Sequence, residues 1–450
     1  MRKTILAAAL AAVFATPALA QTPSAQLYGR LNLGVDSYKA DGAAAGPTRD
    51  FGSRMRVYDV ASRVGVRGTE DLGGGWRALF QIETGVNVDN GSNTGQNGIV
   101  NPSTGFWSTR DSYAGIEGDR FGRLTFGRQS IYWFSGTINQ VGANYLNTAV
   151  PFSSVNLSGI MLGPAQRESN AVQYSARLGG FSGTVSYALP GTSTAVSPLL
   201  PGGPSEQVQG GRDAKEHVWG ATLRYNHAMF DLQADWATRY DTNQVDGRDF
   251  SGWKLGGAWK YLPGAQISLI GQRVKNKNTN GIGLLNYASP AAPVCGTSLA
   301  AGNAALGAAL QAGIVGNSTL GGGGAVNTCD TLTQTMWVLQ WEHTFGNVQA
   351  IAEYGQAGDV KGSSAAAGLP DSKARAWTLG ARYLMSKRTW LYASYSEISN
   401  GRNAYNDYWG GWVTSASQLN IGAGNLAPGL PSVSSGADPR IFAVGIFHAF

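Results

Sequence analysis

Charge is scarce in this 450-residue chain: Asp, Glu, Lys and Arg together make up 14% of it, against about 25% in ordinary globular proteins. So few charges point to a protein in unusual surroundings. Long apolar runs are missing as well. Beyond the first twenty residues no stretch of about 18 apolar residues exists to cross a bilayer as a helix, and mean hydropathy is only −0.15. Two cysteines exclude a disulfide-dense scaffold and a zinc-ribbon array. The four histidines, His217, His227, His343 and His448, show no metal-ligand spacing with another His, Cys or acid. Gly73-Gly74-Gly75 reads as a turn, since no Lys-Ser/Thr follows to make a phosphate loop. No motif picks out a nucleophilic Ser. The expectation is a protein that is not an enzyme and carries no metal or cofactor.

What is abundant is glycine and aromatic residues. There are 63 glycines, about twice the usual share of about 7%, with 13 Trp, 18 Tyr and 15 Phe. The N-terminus carries an export pattern: basic Arg2 and Lys3, an apolar stretch from Ile5 to Ala15, and the small-x-small site Ala18-Leu19-Ala20. Residues 1–20 are expected to be a cleaved signal peptide, leaving Gln21 first and residues 21–450 as a single domain. Cleavage removes Arg2 and Lys3 and lowers the formal net charge from +6 to +4. The remainder is only mildly basic, which gives no support to a nucleic-acid partner.

The mature region repeatedly alternates apolar and polar residues over about ten positions, the period of a strand with two unlike faces. Leu27, Leu31, Leu33 and Val35 oppose Tyr28, Arg30, Asn32 and Asp36; Phe230, Leu232, Ala234 and Trp236 oppose Asp231, Gln233, Asp235 and Arg239. About sixteen such segments are predicted, at 25–38, 60–70, 75–88, 109–118, 122–131, 167–178, 180–189, 216–228, 229–239, 251–262, 264–275, 333–345, 347–358, 374–385, 387–397 and 439–450. Short connections alternate with long ones, the long ones falling near 39–58, 89–107, 132–166, 190–215, 276–332 and 398–438. The apolar faces carry Tyr113, Tyr174, Tyr187, Trp236, Trp253, Tyr261, Trp377, Tyr383 and Tyr395 near segment ends, which matches the aromatic girdles of a barrel in lipid. Hydrocarbon admits only helices and closed barrels. The fold class predicted is therefore all-β, a transmembrane antiparallel barrel of about sixteen strands. Phe442, Val444, Ile446, His448 and Phe450 alternate up to the terminal aromatic and resemble the assembly signal of bacterial outer-membrane barrels.

On these stretches the chain resembles the trimeric general porins of Gram-negative bacteria, of the β-proteobacterial type. The motifs are Leu27-Tyr28-Gly29-Arg30, the run from Ser62 to Gly73, the run from Phe121 to Gln129, Ser169 to Tyr174, Ser386 to Thr389, and Ile446 to Phe450. The resemblance implies a homotrimer in the outer membrane, in contact with membrane lipid and lipopolysaccharide. It also implies a constriction loop, here 131–166, folded into the lumen. The stretch 276–332 reads as a long external loop.

A porin's chemistry lies in the charges of its narrowest section. Alternation assigns Arg30, Arg63, Arg110 and Arg167 to the lumen, and these positions match the family's basic cluster. Arg63 and Arg110 each stand seven residues before an acid, Glu70 and Glu117, on strands running the same way, which sets them at similar heights. Residues 131–166 contain no Asp, Glu, Lys or Arg at all, so this loop lacks the carboxylates expected to balance the arginines. It offers aromatics and amides instead, with Tyr145 the candidate for the pore. Asp36, Glu83 and Glu342 are lumen acids that would weaken a positive field. Cys295 and Cys329, both in the long external loop, are expected to form a disulfide. The function expected is passive diffusion of small hydrophilic solutes with a preference for anions. The alternatives are a channel selective for one anion or sugar, and a surface adhesin or receptor built on the long loops.

Overall fold

Sixteen strands, each antiparallel to its neighbours, are present among the described residues, and the last pairs with the first to close a barrel. The computed structural model describes residues 24–44, 46–59, 62–86, 88–89, 107–131, 167–189, 216–240, 249–277, 331–359, 361–362, 371–402, 404 and 436–450. The strands are β1 (Ser24–Asp41), β2 (Phe51–Asp59 continued by Arg63–Gly73), β3 (Trp76–Gly85), β4 (Ser112–Gly118), β5 (Gly122–Ser130), β6 (Arg167–Leu178), β7 (Phe181–Ala188) and β8 (His217–Asn226). Then follow β9 (Phe230–Tyr240), β10 (Phe250–Leu262), β11 (Ala265–Asn276), β12 (Leu332–Phe345), β13 (Val348–Ala357, extended by Lys361–Gly362), β14 (Ala374–Leu384), β15 (Thr389–Asn400) and β16 (Asp438–Ala449). Closure satisfies every ladder internally, as hydrocarbon demands. The expected cleavage site after Ala20, Tyr145, Cys295, Cys329 and most of loops 131–166 and 276–332 lie outside the described residues.

One segment expected as loop is strand. Phe51–Asp59 pairs with the upper half of β1, from Leu33 to Ala40, while Arg63–Gly73 pairs with its lower half. The connection from β1 is therefore Gly42–Asp50, much shorter than 39–58. The two lengths of β2 are stitched where they meet: the Ser62 backbone donates to Asp59 Oδ1 at 3.1 Å, and the Asn32 backbone donates to Ser62 Oγ at 3.0 Å. Gly52, Ser53, Arg54 and Arg56 read as loop because they are polar. Yet Met55 and Val57 alternate with them and stand 75% and 62% exposed on the outer face. A strand beyond the sheltered part of the wall needs apolar residues on one side only.

Alternation holds along the other strands. Leu232, Trp236, Trp253, Leu255, Trp259, Leu379 and Tyr383 are exposed on the outer wall, while Gln233, Asp235, Lys254, Gln340, Glu353 and Thr378 are buried on the inner one. Outward Trp and Tyr are unevenly spread. Strands β6 to β15, apart from β11, each carry one or more, among them Tyr174, Tyr187, Trp219, Trp236, Trp253, Trp337, Tyr354, Trp377 and Tyr395. On β16 and β1 to β5 the described outward positions hold no Tyr, and Trp76, at a turn, is the one Trp.

The loop expected in the lumen begins inward. Ile131, the residue of that loop which is described, is buried in a cluster with Ala171, Ala188, Val218 and Ala237 on the inner faces of β6 to β9. Its Cγ2 lies 2.2 Å from where a side-chain carbon at Gly220 would stand, so only glycine leaves room for it.

Closure also depends on glycine. Gly34 and Gly445 face each other across the β1–β16 seam, flanked by Tyr58 opposite Gly34 and Tyr392 opposite Gly445. The two phenols lie over the glycines and share a hydrogen bond of 2.7 Å; Tyr392 also donates to Asn32 Oδ1 at 2.8 Å. A Cβ at Gly445 would stand 2.4 Å from the Tyr392 hydroxyl and 2.5 Å from the Leu33 carbonyl. Gly445→Val is therefore expected to overpack the seam at a cost of about 1–3 kcal/mol. Heat-modifiable mobility on gels reads the unfolding midpoint, which should fall; an unchanged midpoint contradicts the seam's role.

Candidate functional site

Six neighbouring strands, β1 to β6, bring their polar inner faces together near mid-barrel. Arg30 on β1 lies directly opposite Arg63 on β2. Like charges in that register repel, and each is offset. Arg63 Nε lies 3.4 Å from Glu83 Oε2 on β3, and the Arg30 guanidinium sits 5.9 Å from the centre of the Phe447 ring. Glu83 is the hub. Its Oε1 accepts from Arg110 Nε at 2.6 Å and its Oε2 from the Tyr28 hydroxyl at 3.1 Å. Asp111 is a second hub. It accepts from Arg167 Nε at 2.6 Å and from the Ser130 hydroxyl at 2.8 and 2.9 Å. Arg128 on β5 donates to Ser169 Oγ at 2.8 Å and is in electrostatic contact with Glu168 and then Asp111. Beyond them Arg239 on β9 bridges Glu168, at 2.5 Å, and Glu216.

The structure places Arg30, Arg63, Arg110 and Arg167 on neighbouring segments of one wall, and Arg63 and Arg110 share Glu83. Arg110 does not reach the lumen by regular alternation. Alternation gave it the face of Ser112 and Ala114, opposite Tyr113. That face looks outward, since Ala114 and Ile116 are exposed beside Phe126, and Tyr113 is lumenal. Its hydroxyl accepts from Arg123 Nη2 at 2.8 Å and donates to Gln81 at 3.4 Å. Arg110 still reaches Glu83 because Trp107–Asp111 is not strand: Ser108 has φ 65°, and the period of two breaks before Ser112. Asp111 has the parity of the lumenal Tyr113, so the true phase of β4 places it inward; only Arg110 needs the irregularity.

Arg67, Arg123 and Arg128 were also missed. The first two were findable. Arg67 shares the parity of Arg63, and Arg123 alternates with Leu124 and Phe126. Arg67 lies over the Tyr28 ring at 4.9 Å and donates to Gln26; Arg123 lies over the Tyr113 ring at 5.1 Å. Arg67 is four residues nearer the short turn than Arg63, about 13 Å at the usual strand rise. Guanidiniums thus descend the wall from mid-barrel toward the short-turn mouth. Arg128 has no such signal, because the β5–β6 register shifts between Gly127 and Gln129.

The wall is not left uncompensated, as the uncharged loop alone implied. Arg30, Arg63, Arg110, Arg128 and Arg167 face Glu83 and Asp111, an excess of three positive charges. Adding Arg239 with Glu168 and Glu216 reduces the excess to two. The opposite wall is balanced: Lys254, Arg224 and Arg382 stand among Asp235, Glu342 and Glu353. There Asp235 lies opposite Lys254 in register and accepts from Thr222 at 2.7 Å and Gln233 at 2.5 Å. Of the acids named from sequence, Glu83 is at the centre of the arginines, Asp36 is six residues above Arg30 on the same face, and Glu342 is on the far wall. Among the described residues no group of three or more His, Cys, Asp or Glu is placed to hold a metal ion. The arrangement can attract, orient and pass anions; it presents no activated nucleophile.

Comparison with known proteins agrees with this architecture. Residues 7–403 match the model of a family described as Gram-negative porin. The outer membrane porin protein of Bordetella pertussis is 37% identical over 170 residues, covering 35% of this chain and 42% of that one. The major outer membrane protein P.IB of Neisseria gonorrhoeae is 30% identical over 194 residues, covering 42% of this chain and 48% of that one. The chain therefore spans about half the length of the curated relatives it matches. Among solved structures, the anion-selective porin from Comamonas acidovorans superposes with a TM-score of 0.59 at 21% identity, over 95% of this chain and 100% of that one. The trimer form of OmpT from Vibrio cholerae gives 0.51 at 11% identity, over 96% and 100%. At these identities the likeness is one of fold.

Glu83 holds three side chains, and its removal tests the site's construction. Glu83→Gln leaves Arg110 and Arg63 without their carboxylate and is expected to cost about 1.5–3 kcal/mol, the range for hydrogen bonds to charged groups. Glu117→Gln removes a half-exposed contact 3.9 Å from Arg77 and should change the unfolding midpoint little, as surface pairs do. Equal midpoints for the two variants would contradict the hub.

Proposed function

We propose that this chain, which belongs to the Gram-negative porin family, forms a water-filled channel across the outer membrane for passive diffusion of small hydrophilic solutes, and that it favours anions. The observation that carries the anion preference is the excess of guanidinium over carboxylate on the inner faces of β1 to β6, set against a balanced far wall. Guanidinium stays charged throughout the physiological range. In a narrow section with low-dielectric walls, an unbalanced field concentrates the opposite ion. A unit charge at 4 Å is worth about 4 kcal/mol at an effective dielectric near 20 and about 1 kcal/mol in bulk water. Even the lower value, acting from two or three net charges, biases permeation. Glu83 and Asp111 narrow the bias without cancelling it, and they hold the guanidiniums in place.

Loop 131–166 serves in this reading as the constriction, its uncharged residues adding no carboxylate to the arginine side, with Tyr145 in the pore. The inward course of Ile131 supports it. A homotrimer is supported by the outer wall. Trp and Tyr anchor a barrel at the lipid interfaces, and the sector from β16 through β5 largely lacks them, as a surface covered by another subunit would. Crosslinking after mild extraction is expected to give a three-subunit species; monomer alone would contradict the assembly.

The ion preference is tested in planar bilayers under a salt gradient. The double variant Arg63→Gln, Arg110→Gln should move the reversal potential away from the chloride side, with a smaller change in conductance. In the unaltered protein the preference should shrink between 0.01 M and 1 M salt, as the Debye length falls from about 30 Å to about 3 Å. A reversal potential unmoved by the double change would remove these residues from the selectivity mechanism.

A further inference from the structure

The far wall is balanced in sum but not in place. Among the described residues Lys254 and Arg224 gather about Asp235, whereas Glu342 and Glu353 share Arg382. Two carboxylates and one guanidinium leave one negative charge there. The same stretch of wall holds a row of oxygens. Ser268 on β11 lies directly opposite Gln340 on β12, and Gln340 directly opposite Glu353 on β13. All three face inward and are no more than 3% exposed. Residues opposed in this way have Cβ atoms about 5 Å apart, so the three side chains stand side by side.

These oxygens lack donors. The Gln340 amide is oriented by its Nε2, which donates to Glu342 Oε1, so its Oε1 is turned away from that carboxylate. Glu342 also accepts from Gln266 Nε2 at 3.5 Å. Glu353 is not supplied in this way. Ser268 Oγ, Gln340 Oε1 and both carboxylate oxygens of Glu353 are buried without a hydrogen-bond partner among the described residues. A buried carboxylate with nothing to accept from is costly, and further oxygens beside it raise the cost. The set calls for a guest that brings both donors and positive charge. A primary ammonium brings three N–H groups and one charge. Acceptors about 2.8 Å from one nitrogen at tetrahedral angles stand about 4.6 Å apart, close to the spacing of neighbouring strands. A quaternary ammonium brings the charge without the donors.

We propose that Ser268, Gln340 and Glu353 form a site for the primary ammonium group of a small solute, carried by a free amine or by a zwitterionic amino acid. Glu353 supplies the charge, and Ser268 and Gln340 supply neutral acceptors on either strand beside it. The inference rests on the channel reading, which brings solutes to this wall, and not on the ion preference of the arginine face.

The test uses the full, folded protein in detergent, with saturation-transfer NMR titrations reading the bound solute. Ethylammonium is compared with tetramethylammonium, and glycine with trimethylglycine; within each pair the charge is kept and the N–H donors are removed. The donor-bearing member of at least one pair should bind about tenfold more tightly or better, since charge-assisted hydrogen bonds are the strong ones. The pair that discriminates identifies the bearer of the ammonium. Glu353→Gln should abolish the preference, with a loss of about tenfold or more. Its new amide N–H reaches the same oxygens, so its unfolding midpoint should not fall, which separates loss of the site from loss of the fold. Ser268→Ala should give a smaller loss of about threefold. Glu117→Gln, on β4, should bind as the unaltered protein does. Equal binding within both pairs would mean that water serves these oxygens and would overturn the proposal, as would unaltered binding by E353Q or the same loss in E117Q. Conductance in potassium chloride is recorded alongside: its absence would overturn the channel reading on which the proposal rests, whereas conductance without discrimination counts against the site alone.

Discussion

The rest of the structure follows from one requirement: a backbone in hydrocarbon has no water to bond with, so every ladder must find its partner within the protein. Sixteen strands meet it by pairing β16 back onto β1. The seam is where this is hardest, because the ends of the sheet must come together with no freedom left in register. Gly34 and Gly445 allow the backbones to approach under the rings of Tyr58 and Tyr392, and the phenol pair ties four strands with one hydrogen bond. Once the wall is closed, the period of two sorts the side chains. One set meets lipid, and the other must be content in water and in each other's company.

That inner set explains how so many arginines can share one wall. Five guanidiniums within a few strands repel strongly, and a lumen lined by them alone would be costly to assemble. Glu83 and Asp111 divide the cluster into two groups, each carboxylate receiving more than one donor. The compensation is incomplete, and in the proposed function the charge left over is what acts on permeating ions. A wall with equal acids would hold together and prefer neither ion. An excess of two or three charges is enough to act on a passing ion.

Much of this was legible in the sequence, since one strong period runs through nearly every strand. Strand number, the outward aromatics at Trp236, Trp253 and Trp377, and the inward placement of Arg30 and Arg63 all follow from it. The failures occur where the period is interrupted. Phe51–Asp59 looked like loop because a strand at the top of the wall carries polar residues on both sides of Met55 and Val57. Around Arg110 the chain bends before β4 starts, so a phase taken from Arg110 puts Tyr113 in lipid and overlooks Asp111. At Arg128 a register shift does the same. Irregular backbone gathers charge at this height because bends re-aim side chains that a regular strand would send to lipid.

The central claim is that the arginine face carries more positive charge than its own carboxylates absorb. The most direct measurement locates the ions themselves. Crystals soaked in rubidium bromide give anomalous scattering from both species. The account predicts bromide along the wall, beside Arg30 and Arg128 and down toward Arg67 and Arg123, with rubidium absent from that face. Rubidium seated against Glu83 or Asp111, with no bromide near the guanidiniums, would show that the carboxylates dominate and would contradict it.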